Sequence, residues 1–162
     1  MEKKVVGFKL KEEEFAFDIM KVIEIIKLKE ITNVPTAPDF IEGVINLRGK
    51  IIPIIDLRKR FNVEIEERDK KYRIIIVELG KQNIGIVVDE VTKVLTVTDD
   101  QLLPVPKTVN QAGGKYIESI IKIEDRIIVL LDIEKIFSET EKIELKDIVN
   151  IDGGQIEKSS DS

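Results

Sequence analysis

One stretch of this chain is written twice. Residues 43–61 read GVINLRGKIIPIIDLRKRF, and residues 119–137 read SIIKIEDRIIVLLDIEKIF, at a constant offset of 76 with no gap. Six of the nineteen pairs are identical: Ile45/Ile121, Ile51/Ile127, Ile52/Ile128, Asp56/Asp132, Lys59/Lys135 and Phe61/Phe137. Upstream the repeat continues at an offset of 69, where Val5-Val6-Gly7-Phe8-Lys9-Leu10 meets Ile74-Ile75-Ile76-Val77-Glu78-Leu79 and Val22 meets Val91. A repeat of this length constrains architecture before any single residue is interpreted. It predicts two similar units, at about 3–65 and 70–137, joined by the charged run Glu66–Lys71. The seven residues added to the second copy are expected in Pro104–Gly114.

Units of this size bury little apolar surface alone, so the two copies are expected to lean on each other. Ile and Val dominate the apolar residues, and β-branched side chains favour pleated sheet. Apolar runs recur every eight to twelve residues, the spacing of small barrels or sandwiches. Strands are expected at about 4–10, 14–18, 23–29, 42–48 and 50–55. In the second copy they fall at about 72–79, 82–88, 93–98, 116–123 and 126–131. Arg48-Gly49 and Glu124-Asp125 read as equivalent hairpin turns. Asp56 and Asp132 read as N-caps of short helices at Leu57–Phe61 and Ile133–Phe137. Ser138 with Glu141 fits a capping box for a C-terminal helix over 138–150, and 151–162 reads as a disordered tail.

Composition narrows the chemistry. The chain has no His and no Cys, so histidine-based acid–base catalysis, thiol nucleophiles and an ordinary zinc site are excluded. Net charge is −5 without a basic cluster, which disfavours nucleic acid. No apolar run approaches the roughly 18 residues of a membrane span, so no direct membrane insertion is expected, and the N-terminus carries no signal-peptide pattern. No cofactor is expected.

Several local patterns admit two readings. The duplicated Asp56 and Asp132 could form a catalytic carboxylate pair; helix capping is the favoured reading. Gly43–Lys50 lacks the spacing and the hydroxyl residue of a phosphate loop. Pro53 cannot donate to a sheet ladder, which places it at an edge or a bulge; the second copy has Val129 there. Arg48, at a hairpin tip where the second copy has Glu124, reads either as a solvated charge or as a binding anchor. Lys3, Lys4, Lys27, Lys29 and the 66–71 run read as solvated surface.

The segment Ala37-Pro38-Asp39-Phe40-Ile41-Glu42-Gly43-Val44-Ile45-Asn46-Leu47-Arg48-Gly49, continuing through Ile54-Ile55-Asp56-Leu57-Arg58, resembles the bacterial chemotaxis adaptor family CheW. Phe17-Asp18-Ile19, Lys21-Val22 with Glu24-Ile25, and Gly85–Asp89 with Val91 extend the resemblance to about residues 4–150. It implies one domain over 1–162, mainly β, made of two SH3-like five-stranded β-barrels in pseudo-repeat with short helices. The implied function is a non-enzymatic cytoplasmic scaffold, recruited to membrane receptor clusters, that couples chemoreceptor tips to the regulatory domain of the histidine kinase CheA. The implied receptor-contacting residues are Val22, Glu24, Gly43, Leu47 and Arg48. The implied kinase contact lies at Leu103, Lys107 and Thr108. The alternative is a module of a larger signalling protein, of the CheV or kinase type, or more remotely an aspartate-pair hydrolase.

Overall fold

The structure is a computed structural model that describes residues 2–64, 67–106 and 116–149. Its strands are β1 (Glu2–Leu10), β2 (Glu13–Asp18), β3 (Val22–Lys27), β4 (Gly43–Leu47), β5 (Lys50–Asp56), β6 (Arg73–Leu79), β7 (Gln82–Val88), β8 (Glu90–Thr98), β9 (Leu102–Leu103), β10 (Ile117–Ile123) and β11 (Arg126–Leu131). The helices are α1 (Leu57–Arg60) and α2 (Ile133–Ile136), with α3 over 139–149. Ten of these strands answer the ten expected; β9 is additional. Ser138 and Glu141 close a reciprocal capping box at the start of α3. The expected tail at 151–162 lies outside the described residues.

The strands form two sheets, ordered β8-β1-β2-β11-β10-β9 and β3-β6-β7-β5-β4. The sequence units 3–65 and 70–137 are therefore not the structural units. Each sheet combines strands of both copies, because the β1–β2 hairpin and its counterpart β6–β7 have changed places. The exchange is symmetric to the residue. In one sheet Ile54 pairs in parallel with Gly85 and Ile55 with Ile86; in the other, Leu130 pairs with Ala16 and Leu131 with Phe17. Shifting one set by 76 and 69 residues produces the other. The irregularity between Val22 and Glu24 on β3 likewise recurs where β8 meets β1, between Val6 and Phe8.

Pro53 is not on an edge, since β5 lies between β7 and β4. Opposite it, Val44 spends its N–H and C=O on Thr32, at 2.9 and 2.8 Å, so the Val44/Pro53 pair exchanges no ladder bonds. The proline's missing donor faces β7, where pairing begins only at Ile54; in the other copy Val129 extends that ladder to Phe15. The Thr32–Val44 bridge is itself matched by Leu103–Ile120, an offset of 71. Two of the seven added residues thus precede Leu103 and do not fall in 104–114.

Three apolar clusters result. One fills the five-stranded unit with Ile45, Ile52, Ile54, Ile74 and Ile76; another fills the six-stranded unit with Val5, Ala16, Ile121, Ile128 and Leu130. The largest lies between them and takes the alternate residues Phe8, Leu10, Phe17, Ile55, Ile75, Val77 and Leu131. Strands such as β6 are buried on both faces, which is why they read as unbroken apolar runs. Helix α3 covers the central cluster with Leu145 and Ile148.

Because each copy supplies a hairpin to the other's sheet, residues 1–66 and 67–162 expressed separately should show no cooperative unfolding. Mixed in equal amounts they should regain strand signal and a single transition by circular dichroism. A cooperative melt from either half alone would contradict the interlocked topology.

Candidate functional site

The first-copy unit carries a buried ionic cluster. Asp56 ends β5 and caps α1, accepting the Arg58 N–H at 3.0 Å. Arg58 folds back on the same carboxylate through Nε at 3.1 Å and Nη2 at 2.7 Å, and its Nη1 reaches the Tyr72 hydroxyl. Arg68 bridges Asp56, at 3.0 Å, to Glu42. Asp56 and Arg58 are almost wholly buried. Asp89, which accepts the Lys11 backbone N–H at 3.0 Å, lies 3.7 Å from Arg58 Nη1. Burial pushes the Asp56 carboxyl up, but the Arg58 and Arg68 hydrogen bonds outweigh it and hold Asp56 below its ordinary value.

Asp132 occupies the equivalent place after β11 and accepts the Glu134 N–H at 3.0 Å, yet Glu134 stands where the first copy has Arg58. The ionic cluster is therefore not duplicated. The two aspartates end strands of different sheets, and each caps its own helix. Only the substitution of Glu134 for Arg58 marked this difference in the sequence. Arg68, expected on the solvated surface, is mostly buried in the cluster. Lys3 and Lys29, also expected there, pair with Glu118 at 2.9 Å and with the Asn46 carbonyl at 2.7 Å.

A second arrangement reaches solvent. Strand β3 and the β4–β5 hairpin form opposite edges of the five-stranded sheet, and the chain after β3 folds across to join them through Lys29 and Thr32. Arg48 takes the first turn position with φ 52°, followed by Gly49 at φ 84°, whose N–H donates to Asn46 Oδ1 at 2.9 Å. This turn delivers the Arg48 guanidinium to the Glu24 carboxylate on β3. An exposed pair of this kind contributes about 0–1 kcal/mol, so a partner's carboxylate can compete for the arginine at little cost.

The residues expected at a receptor contact separate here. Glu24 and Arg48 reach solvent, and Val22 is half-buried against the central cluster. Gly43 and Leu47, expected at or near that contact, are buried. Leu47 packs in the core of the five-stranded unit. A Cβ on Gly43 would lie 2.3 Å from the Thr32 carbonyl oxygen and 2.8 Å from Ile31 Cγ2. Glycine is needed there because another backbone passes over it. Three exposed apolar residues on β3 or just before it were not anticipated: Met20, Ile23 and Ile25 are 84, 47 and 40% exposed. Their signal was alternation along Val22–Lys27, where Ile23 and Ile25 share the outward face. On the other sheet, Leu103 is 41% exposed on edge strand β9. Lys107 and Thr108 lie outside the described residues.

Asp56→Asn should cost about 3–5 kcal/mol at neutral pH, because the buried Arg58 loses the carboxylate that it holds through Nε and Nη2. The depressed carboxyl contributes stability that is complete above about pH 4 and is lost as pH falls through its lower folded value. Urea midpoints should therefore show the wild-type–variant gap narrowing from pH 7 to strongly acid solution; a gap independent of pH would contradict the assignment.

Comparison with known proteins gives a consistent result. Residues 4–141 match the family described as CheW-like domain. The chemotaxis protein CheW of Klebsiella aerogenes is 40% identical over 134 residues, which span 83% of this chain and 81% of that protein. The probable chemotaxis protein CheW of Rhizobium etli is 34% identical over 140 residues, spanning 86% and 90%. The crystal structure of the scaffolding protein TtCheW from Thermoanaerobacter tengcongensis superposes with a TM-score of 0.76 at 42% identity, covering 85% of this chain and 89% of that one.

Proposed function

The chain belongs to the CheW-like family and is a chemotaxis scaffold, and on that premise we propose that it works in the cytoplasm as a non-catalytic bivalent coupler. One face holds the cytoplasmic tip of a chemoreceptor and another holds the regulatory domain of the CheA kinase. The observation that carries this reading is the exposed Glu24–Arg48 pair on an edge strand, β3, that also exposes Ile23 and Ile25, with Met20 exposed just before it. Apolar surface around one weakly held arginine suits a helical tip laid across it, with the arginine fixing orientation. Val22 supports that face from beneath, while Gly43 and Leu47 shape it.

The kinase face is assigned to the second sheet, where Leu103 offers an apolar side chain on an edge strand, continuing toward Lys107 and Thr108. Two separated faces on one body raise the local concentration of one partner for the other. The non-catalytic reading rests on a sequence without His or Cys, and on Asp56 being tied to two arginines. No helix among the described residues is long and apolar enough to cross a membrane, so recruitment to receptor clusters is assigned to the docking face.

Arg48→Gly tests the receptor assignment. It removes the guanidinium and relieves a left-handed residue, so stability should change by less than about 1 kcal/mol. Pull-down by a receptor cytoplasmic fragment should weaken about tenfold or more, with kinase binding intact. Gly43→Ala should instead lower the melting temperature, through overpacking of about 1–3 kcal/mol. Undiminished receptor binding by Arg48→Gly would remove the face from the account.

A further inference from the structure

A third surface uses neither Arg48 nor Leu103. Lys50 at the start of β5, Lys81 in the β6–β7 turn and Lys146 on α3 line one pocket of about 570 Å³, with Gln82, Asn83 and Val149. Acidic residues outnumber basic ones in this chain, 31 to 26, yet among the described residues no carboxylate lines the pocket. Among the described residues none of the three ammonium groups makes an ion pair or a side-chain hydrogen bond. The walls are joined: Gln82 Nε2 donates to the Leu145 carbonyl at 2.9 Å, fixing β7 to α3, and Leu145 and Ile148 anchor the helix in the core.

We propose that this pocket docks an acidic, partly apolar peptide segment of another protein. Three like charges converging on one concavity leave unbalanced positive potential, which attracts and orients an acidic partner. A compact phosphate is the poorer fit. The lysines are exposed and come from three separate elements, and the pocket also presents the half-buried Ile51 and Val149. That mixture suits alternating acidic and apolar side chains along a chain. The surface would admit a further component to an assembled scaffold, using neither Arg48 nor Leu103.

The test is fluorescence anisotropy of a labelled peptide of alternating Glu and Leu on the full chain. Binding should weaken about tenfold in the Lys50→Gln/Lys81→Gln/Lys146→Gln variant, and likewise on raising salt from about 20 to about 500 mM. The control variant Lys4→Gln/Lys93→Gln/Lys122→Gln, altered on the six-stranded sheet, should bind normally. No binding, or equal loss in both variants, overturns the proposal. So does displacement by equimolar pyrophosphate, which would make this a small-anion site. Binding only by a chain ending at residue 149 also overturns it, since the acidic C-terminal residues would then be the occupant.

Discussion

The parallel pairing of β5 with β7, and of β11 with β2, is the constraint on which the remainder of the structure depends. Each pairing joins a strand of one copy to a strand of the other, in registers that superpose after a shift of 76 and 69 residues. A parallel pair cannot be made by a tight turn, so long connections are unavoidable. Here each connection is the other copy's contribution. The arrangement lets about 65 residues borrow enough partner surface to build two small cores and a larger one between them. It also makes one body of two units, so surfaces on either sheet keep a fixed mutual geometry.

Within that symmetry the copies diverge where function is assigned. The first carries Asp56 with Arg58, Arg68 and Glu42, and presents Arg48 opposite Glu24. The second has Glu134 in place of Arg58 and Glu124 in place of Arg48. The buried cluster beneath one sheet costs desolvation and fixes geometry; it is weak evidence for stability and better evidence for a shape that must not drift. Arg48 is the opposite case, held loosely in a left-handed turn and available to a partner.

Much of this was readable in advance. The spacing of apolar runs placed ten strands, and residue type placed both hairpin turns and the helix caps. Resemblance, and not spacing, supplied the residues of the proposed receptor face. The exchange of hairpins was not readable, because a repeat reports which segments are alike and is silent on which copy pairs with which. Pro53 misled for a related reason: its lost donor is harmless at the start of an internal ladder as well as on an edge. The burial of Gly43 and Leu47 was not readable, because a motif does not say which side chains point inward. Arg68 looked like surface charge; only the fold brought it to Asp56, since burial of an arginine depends on partners distant in sequence.

The central claim is that one rigid body holds receptor and kinase on separate faces at the same time. The direct measurement is the mass of an equimolar mixture of this chain, a receptor cytoplasmic fragment and the kinase regulatory domain, by size-exclusion chromatography with light scattering. A single particle containing all three components is the predicted result. Displacement of the receptor fragment as the kinase domain is added would mean a shared face, and would contradict the account.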